Sequence, residues 1–184
     1  MQLYYTTSAG ENEEQLLPQT SLGGFKSSTA FRNDDFDNMF GEISTLTLKQ
    51  DRDQYIALML VNEEESDKNN IEIWIEKPED SVCNFQIAAV DPAIKDDIPY
   101  IERTREMFNK PVYANFVEAD ENSKASAGTL TSGSYLGIWV KRSLNKSAIA
   151  ENEDFYEEDP DRNSMYREKE KQTVEKISLN ISWD

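Results

Sequence analysis

The apolar residues of this chain fall into short segments separated by polar turns, which is the pattern of β-strands. Gln54–Val61 is apolar almost throughout and predicts a strand that is buried on both faces. Residues 135–142 are apolar around Trp139 and end in a basic pair, which we expect to lie at the surface. Residues 174–183 alternate most regularly and should place one apolar face against a core.

Three further strands are predicted, at residues 71–76, 85–90 and 112–118. The intervening segments predict a polar hairpin loop at 62–70, a short helix within 100–108 and a small-residue loop at 119–132. Six or seven strands with turn signals between them favour an all-β fold. We expect an antiparallel β-sandwich of the jelly-roll or immunoglobulin-like type.

Two segments depart from this pattern. Residues 1–44 contain Pro18 and the Gly23-Gly24 pair, which interrupt regular structure, and predict an extended N-terminal arm. Residues 45–184 then form the β-sandwich domain, which carries an acidic, partly helical insertion at about 150–173. The acidic part of this insertion, residues 151–161, holds seven acids and no base.

Aromatic and aliphatic side chains in these two segments are hard to explain by exposure to solvent. We expect them to dock on the domain's own core or on a neighbouring subunit, and deletion of residues 1–24 to abolish assembly while leaving a folded monomer. The candidates for subunit contacts are Tyr4, Tyr5, Leu22 and Phe25 in the arm, and Phe155 and Tyr156 in the insertion.

The composition removes most catalytic chemistry. The chain has 184 residues, no histidine and one cysteine, so it lacks the ligands of zinc sites and the base of histidine-dependent triads. Cys83 lies in an apolar run and predicts a small buried hydrophobe. Pairs of acids could in principle catalyse glycoside hydrolysis or bind calcium. However, no acidic segment carries the EF-hand pattern. We predict a protein without enzymatic activity, cofactor or metal.

The formal net charge of −17 argues against specific binding of nucleic acid and against binding to anionic membranes. An acidic surface would still allow DNA to pass close by without sticking, although simple solubility explains the charge equally well. The apolar runs are too short for a membrane span, and the first residues lack the pattern of a signal peptide. We therefore expect synthesis in a cytosol.

The three tryptophans allow two interpretations. Trp74, Trp139 and Trp183 lie within predicted strands, where packing in the core is the default. The alternative is an aromatic platform that stacks on sugar rings, as in carbohydrate-binding modules.

Three motifs occur in order along the chain: SLGGFKSST at 21–29, IEIWIE at 71–76 and LGIWVKR at 136–142. In these motifs the chain resembles small β-sandwich virion proteins of tailed bacteriophages, over about residues 20–145, and especially ring proteins of the neck or tail of crAss-like phages. The acidic insertion has no counterpart in that group. The resemblance implies a structural part of the virion, assembled in the bacterial cytoplasm.

The partners that the resemblance implies are copies of the chain in a ring, together with portal, neck or tail proteins of the same particle. A capsid decoration protein is the nearest alternative function. A carbohydrate-binding module for host attachment is the alternative from another class of protein.

Overall fold

The computed structural model describes residues 1–32, 39–41, 52–79, 81–145 and 177–184. In these residues the chain forms eleven strands and one short 3-10 helix, Pro18–Thr20. None of the helical structure described there is long and apolar enough to cross a membrane. The predicted insertion at 150–173 and the predicted boundary at 44 and 45 lie outside the described residues.

The strands make two sheets in which every pairing is antiparallel. In chain order they are β1 (Gln2–Thr7), β2 (Gly24–Ala30), β3 (Gln54–Val61), β4 (Lys68–Glu76), β5 (Cys83–Val90), β6 (Ala93–Lys95), β7 (Ile98–Ile101), β8 (Val117–Glu118), β9 (Ala125–Leu130), β10 (Tyr135–Leu144) and β11 (Ser178–Ser182). The larger sheet has the order β6-β7-β2-β1-β3-β10-β5-β8, and the smaller has the order β11-β4-β9.

Strand β3 lies near the middle of the larger sheet, and all eight of its residues are buried. Alternate side chains leave a strand on opposite faces. Ile56, Leu58 and Leu60 therefore point into the main core with the apolar side chains of the smaller sheet, whereas Tyr55 and Met59 join a second cluster on the outer face. The packing confirms the predicted all-β, antiparallel sandwich and the strand buried on both faces.

The extended N-terminal arm is a wrong prediction for the described residues. Strand β1 lies between β2 and β3 inside the larger sheet and pairs with β3 from Gln2 to Tyr5. Strand β2 continues the same sheet through its pairing with β1. Strands β1 and β2 are therefore part of the domain, because β1 makes its backbone hydrogen bonds to the central strand β3 and β2 makes its own to β1.

The segment between these two strands explains how they fit together. The pairing of β1 with β3 ends at Tyr5, and Ser21 lies beside β3 at the next position. The Ser21 carbonyl there accepts the Ala57 amide at 2.8 Å. The Ser21 hydroxyl donates to the Ala57 carbonyl at 2.6 Å and accepts the Thr6 amide at 2.7 Å. This buried hydroxyl satisfies backbone groups that would otherwise be left without partners.

The glycine pair that we interpreted as a break is a point of close backbone approach. A Cβ atom on Gly23 would lie 2.4 Å from the carbonyl oxygen of Glu102, and one on Gly24 would lie 2.2 Å from that of Thr7. Their φ angles of +89° and +115° also suit glycine alone. Because the two glycines have no side chains, the start of β2 can pack directly against the backbone of Thr7 and Glu102. The glycine pair that we took for a turn signal therefore marks the point where the chain joins the sheet.

Other local predictions also need correction. The segment at 62–67 does not close a hairpin, because β3 and β4 belong to different sheets. The predicted loop at 119–132 contains β9, and the predicted helix within 100–108 is replaced by the end of β7 and a series of turns. Of the predicted strand at 112–118, only Val117–Glu118 pairs, with β5.

Of the basic pair in β10, Lys141 is partly exposed, whereas Arg142 does not lie at the surface as predicted. Arg142 is buried, and its guanidinium donates to the Gln54 side chain and to the carbonyls of Phe40 and Gly41. Lys141 forms an ion pair with Asp53 at 3.0 Å. Arg142 therefore holds residues 40 and 41 against the end of the larger sheet.

Candidate interaction surface

Two of the predicted contact residues are buried in the chain's own core. Tyr5 is 2% exposed and Leu22 is 7% exposed. The Tyr5 ring meets Phe31 edge-on, with 5.7 Å between ring centroids. Both predictions are wrong for this fold, because the two side chains are buried within the subunit and are not available at its surface. Phe155 and Tyr156 lie outside the described residues.

Tyr4 and Phe25 are half-buried, and the chain's own lysines lie over their rings. Lys26 lies 4.2 Å from the ring centroid of Tyr4, and Lys95 lies 5.7 Å from that of Phe25. The Tyr4 hydroxyl donates to Glu63, and this hydrogen bond to a carboxylate raises the pKa of Tyr4 to about 12. These aromatic rings therefore already have internal cation–π partners.

The most exposed apolar side chains of the larger sheet's outer side lie in a turn that we call the apolar turn, residues 111–114. Val112 is 75% exposed and Tyr113 is 81% exposed, whereas Pro111 and Ala114 at its base are buried. Scattered single apolar residues are normal on protein surfaces. An adjacent exposed pair that includes a tyrosine and is flanked by buried residues is the arrangement of an interface anchor.

The apolar turn is held by contacts on both sides. Before it, the Met107 carbonyl accepts the Tyr55 amide at 2.6 Å, and after it the Phe116 ring lies 5.4 Å from the Tyr55 ring. Burial, reinforced by the charge of Asp53, raises the pKa of Tyr55 to about 12. A turn fixed in this way would lose little conformational freedom when a partner binds.

The segment that carries the apolar turn differs in charge from the rest of the chain. Residues 102–116 have three bases and two acids in a protein whose net charge is −17. One of these bases, Lys110, is exposed directly before the turn. Beside it, Val117 on the edge strand β8 is 48% exposed. The turn and this edge follow one another in the chain, and with Glu118 the acids and bases of residues 102–118 balance at three each.

A second apolar feature lies at the opposite end of β3. A groove of about 200 Å³ opens between the sheets, with Trp183, 40% exposed, in its wall. We call it the inter-sheet groove; its apolar lining comes from Met1, Leu3, Phe31, Leu60, Leu179, Ile181 and Trp183. Its position follows from β1 and β11, because Leu3, Leu179 and Ile181 lie on these strands and Met1 and Trp183 directly flank them.

Acidic side chains lie around the inter-sheet groove. Glu63, Glu64 and Glu65 follow β3 and are exposed, and Asp184 follows Trp183. A hydrogen bond from Lys68 lowers the pKa of Glu64 to about 2, with the Met1 ammonium as the next cause, so Glu64 stays ionised. The Met1 ammonium and Lys68 therefore balance the charge of Glu64, and exposed Asp184, directly after Trp183, is the acid next in sequence to a residue of the groove wall.

Three other residues singled out in the sequence are buried or half-buried. Trp139 and Cys83 are buried in the core, as expected. Trp74 is half-buried beneath Lys124, whose ammonium lies 4.4 Å from the ring centroid. Across the residues that the structure describes, no group of three or more acids or cysteines could hold a metal ion.

The sequence interpretation missed Val112 and Tyr113 as surface residues. Their β-branched and aromatic character resembles a strand, which is how we interpreted them. The Pro111 that precedes them was the available signal for a turn. Searches against protein families, curated proteins and solved structures find no match to this chain.

Proposed function

We propose that this chain is a non-enzymatic structural subunit of a tailed-phage virion, and specifically a ring component of the neck or tail. Its partners would be copies of itself and the portal, neck or tail proteins of the same particle. The phage assignment depends on the resemblance of the three sequence motifs. The proposal that it assembles depends on the apolar turn at 111–114.

The apolar turn supports assembly because its exposure has no evident use in a monomer. Val112 and Tyr113 would be covered in a ring, and the short exposed edge at β8 offers backbone groups for an added strand. Arm exchange is not part of this proposal, since β1 and β2 lie within the larger sheet. The excess of acids would let the subunit border a DNA passage without binding phosphate.

Particle size in solution tests the proposal directly. We expect the purified full chain to elute as a discrete oligomer whose mass is a fixed multiple of the 21.1 kDa subunit, and to form rings in electron micrographs. Light scattering on the eluted peak gives the number of copies. A chain that stays monomeric at all accessible concentrations would contradict the proposed function.

A capsid decoration protein is the nearest alternative. Labelled antibodies against the chain would bind the head of a purified particle in that case, and the neck or tail under our proposal.

A carbohydrate-binding module is the alternative from another class, and the position of Trp183 is the observation that favours it. This ring is 40% exposed in the wall of a groove, where a sugar ring could stack. Glycan-array binding that is lost in Trp183→Ala would support this alternative. Trp139→Phe serves as the control, because that side chain is in the core.

A further inference from the structure

The two apolar features lie on different parts of the molecule and cannot meet within one subunit. The apolar turn is fixed to Tyr55 at the start of β3, and the inter-sheet groove includes Leu60 near its end. Five residues of strand separate these points by roughly 17 Å. The side chains of Tyr55 and Leu60 also leave β3 on opposite faces.

The turn and the groove are complementary in character. The turn presents one aromatic and one aliphatic side chain, and the groove is lined by apolar residues and has a volume of about 200 Å³. One pair of opposite charges flanks these features, with exposed Lys110 directly before the turn and exposed Asp184 directly after Trp183 of the groove. Complementary charges of this kind set orientation and discriminate against wrong partners.

We propose that the apolar turn of one subunit inserts into the inter-sheet groove of the next copy of the same chain. Such a contact joins two different surfaces, so each subunit keeps a free turn and a free groove until the assembly closes. Head-to-tail contacts of this kind generate rings when the rotation closes. The inference rests on the proposed ring function and identifies the two surfaces that would build it.

Thiol cross-linking tests which surfaces meet. Asn115→Cys places a thiol beside the turn, and Asp184→Cys places one beside the groove; both positions are exposed. The native Cys83 is buried and leaves the engineered thiols as the reactive ones. A bismaleimide should cross-link a mixture of the two single variants into dimers, and should leave each single variant alone as monomers on a denaturing gel.

The double variant provides a sharper result. With both cysteines on each chain, a head-to-tail contact predicts a ladder of multimers that ends at the number of subunits in the ring. Dimers from Asn115→Cys alone would show that turns meet turns, and would overturn the inference. Rings without any cross-link between the two positions would also overturn it, by showing that the groove has another occupant, while the ring function would stand. A monomeric chain would refute the ring function together with this inference.

Side-chain removal tests the energetic role of the turn. Tyr113→Ser should raise the dissociation constant of self-assembly by at least about tenfold, as expected for an interface hot spot. Trp183→Ser on the groove side should have a similar effect. Leu16→Ser is the matched control, since this leucine is 74% exposed but belongs to neither surface. Equal affinities for Tyr113→Ser and Leu16→Ser would refute the proposed contact.

Discussion

The substitution Ser21→Ala tests whether the first thirty residues belong to the folded domain. The Ser21 hydroxyl is fully buried and joins two strands, since it accepts the Thr6 amide at 2.7 Å and donates to the Ala57 carbonyl at 2.6 Å. In an arm that extends from the domain, this serine would contribute nothing to the stability of the monomer. In the structure it stabilises the centre of the larger sheet.

The size of the effect follows from the groups that alanine leaves behind. The buried Thr6 amide loses its acceptor, which costs about 1–3 kcal/mol, and a net contribution of about 1 kcal/mol from the bond to Ala57 is lost as well. The Ala57 carbonyl keeps a longer contact with the Thr6 hydroxyl at 3.4 Å, so we do not count it as unsatisfied. The free energy of unfolding should fall by about 2–4 kcal/mol.

Urea denaturation measures this change. With a slope of roughly 2 kcal/mol per molar for a chain of this size, the midpoint should fall by about 1–2 M. The fluorescence of buried Trp139 reports on unfolding of the core. Ser28→Ala is the matched control, because it makes the same substitution at an exposed serine of β2. If both variants unfold at the same urea concentration, the integration of residues 21–24 into the sheet is refuted.

Three further predictions follow from the same structure. Deletion of residues 1–24 should give a chain without the cooperative thermal transition of the intact protein in circular dichroism, because it removes a central strand; a folded monomer would support an arm instead. Asn62→Ala should lower the melting temperature by about 4–10 °C, as expected for the loss of buried hydrogen bonds, whereas Asn69→Ala at an exposed position should change it by less than about 2 °C. In an alkaline titration followed by tyrosinate absorbance, Tyr4 and Tyr55 should ionise late, because their pKa values are both raised from 10.0 to about 12, and burial raises the pKa of Tyr135 as well. Their contribution to stability is complete below pH 10.0 and is lost as the pH rises through about 12, and Tyr4→Phe should remove one of the late transitions.

The central strands could be predicted because their own residue types indicate that they are buried. Gln54–Val61 is apolar at nearly every position, and a strand buried on both faces has this composition. Residues 135–142 were predicted for the same reason and form most of β10. In both strands, local pattern and tertiary environment agree.

The N-terminal strands could not be predicted because their environment is set by distant residues. Gly23 and Gly24 indicate a break when only their neighbours in sequence are considered. Their actual role depends on the carbonyl oxygens of Glu102 and Thr7, which approach too closely for a side chain. Strand β9 was missed for a similar reason, since its small residues have weak strand preference and are held by pairing with β4.

The candidate surface was mispredicted because the same residue types occur in buried strands and at exposed contact positions. A valine and a tyrosine in sequence are typical of a strand, and the two are placed in solvent by the burial of Pro111 and Ala114 on either side. Conversely, Tyr5 and Leu22 were predicted as contacts because the segment around them looked irregular. The sequence shows which residues are apolar and therefore favour burial. Whether the same chain or another molecule buries them depends on the fold.

The distribution of charge bears on how copies of so acidic a protein could associate. With a net charge of −17, two subunits repel each other over most of their surfaces. Association is therefore easiest where the acids are locally absent or outnumbered. Residues 102–116 carry more bases than acids, and residues 125–140 carry no charged side chain at all. The apolar turn lies within the first of these two segments, so an exposed apolar pair occurs in a part of the chain where acids do not outnumber bases.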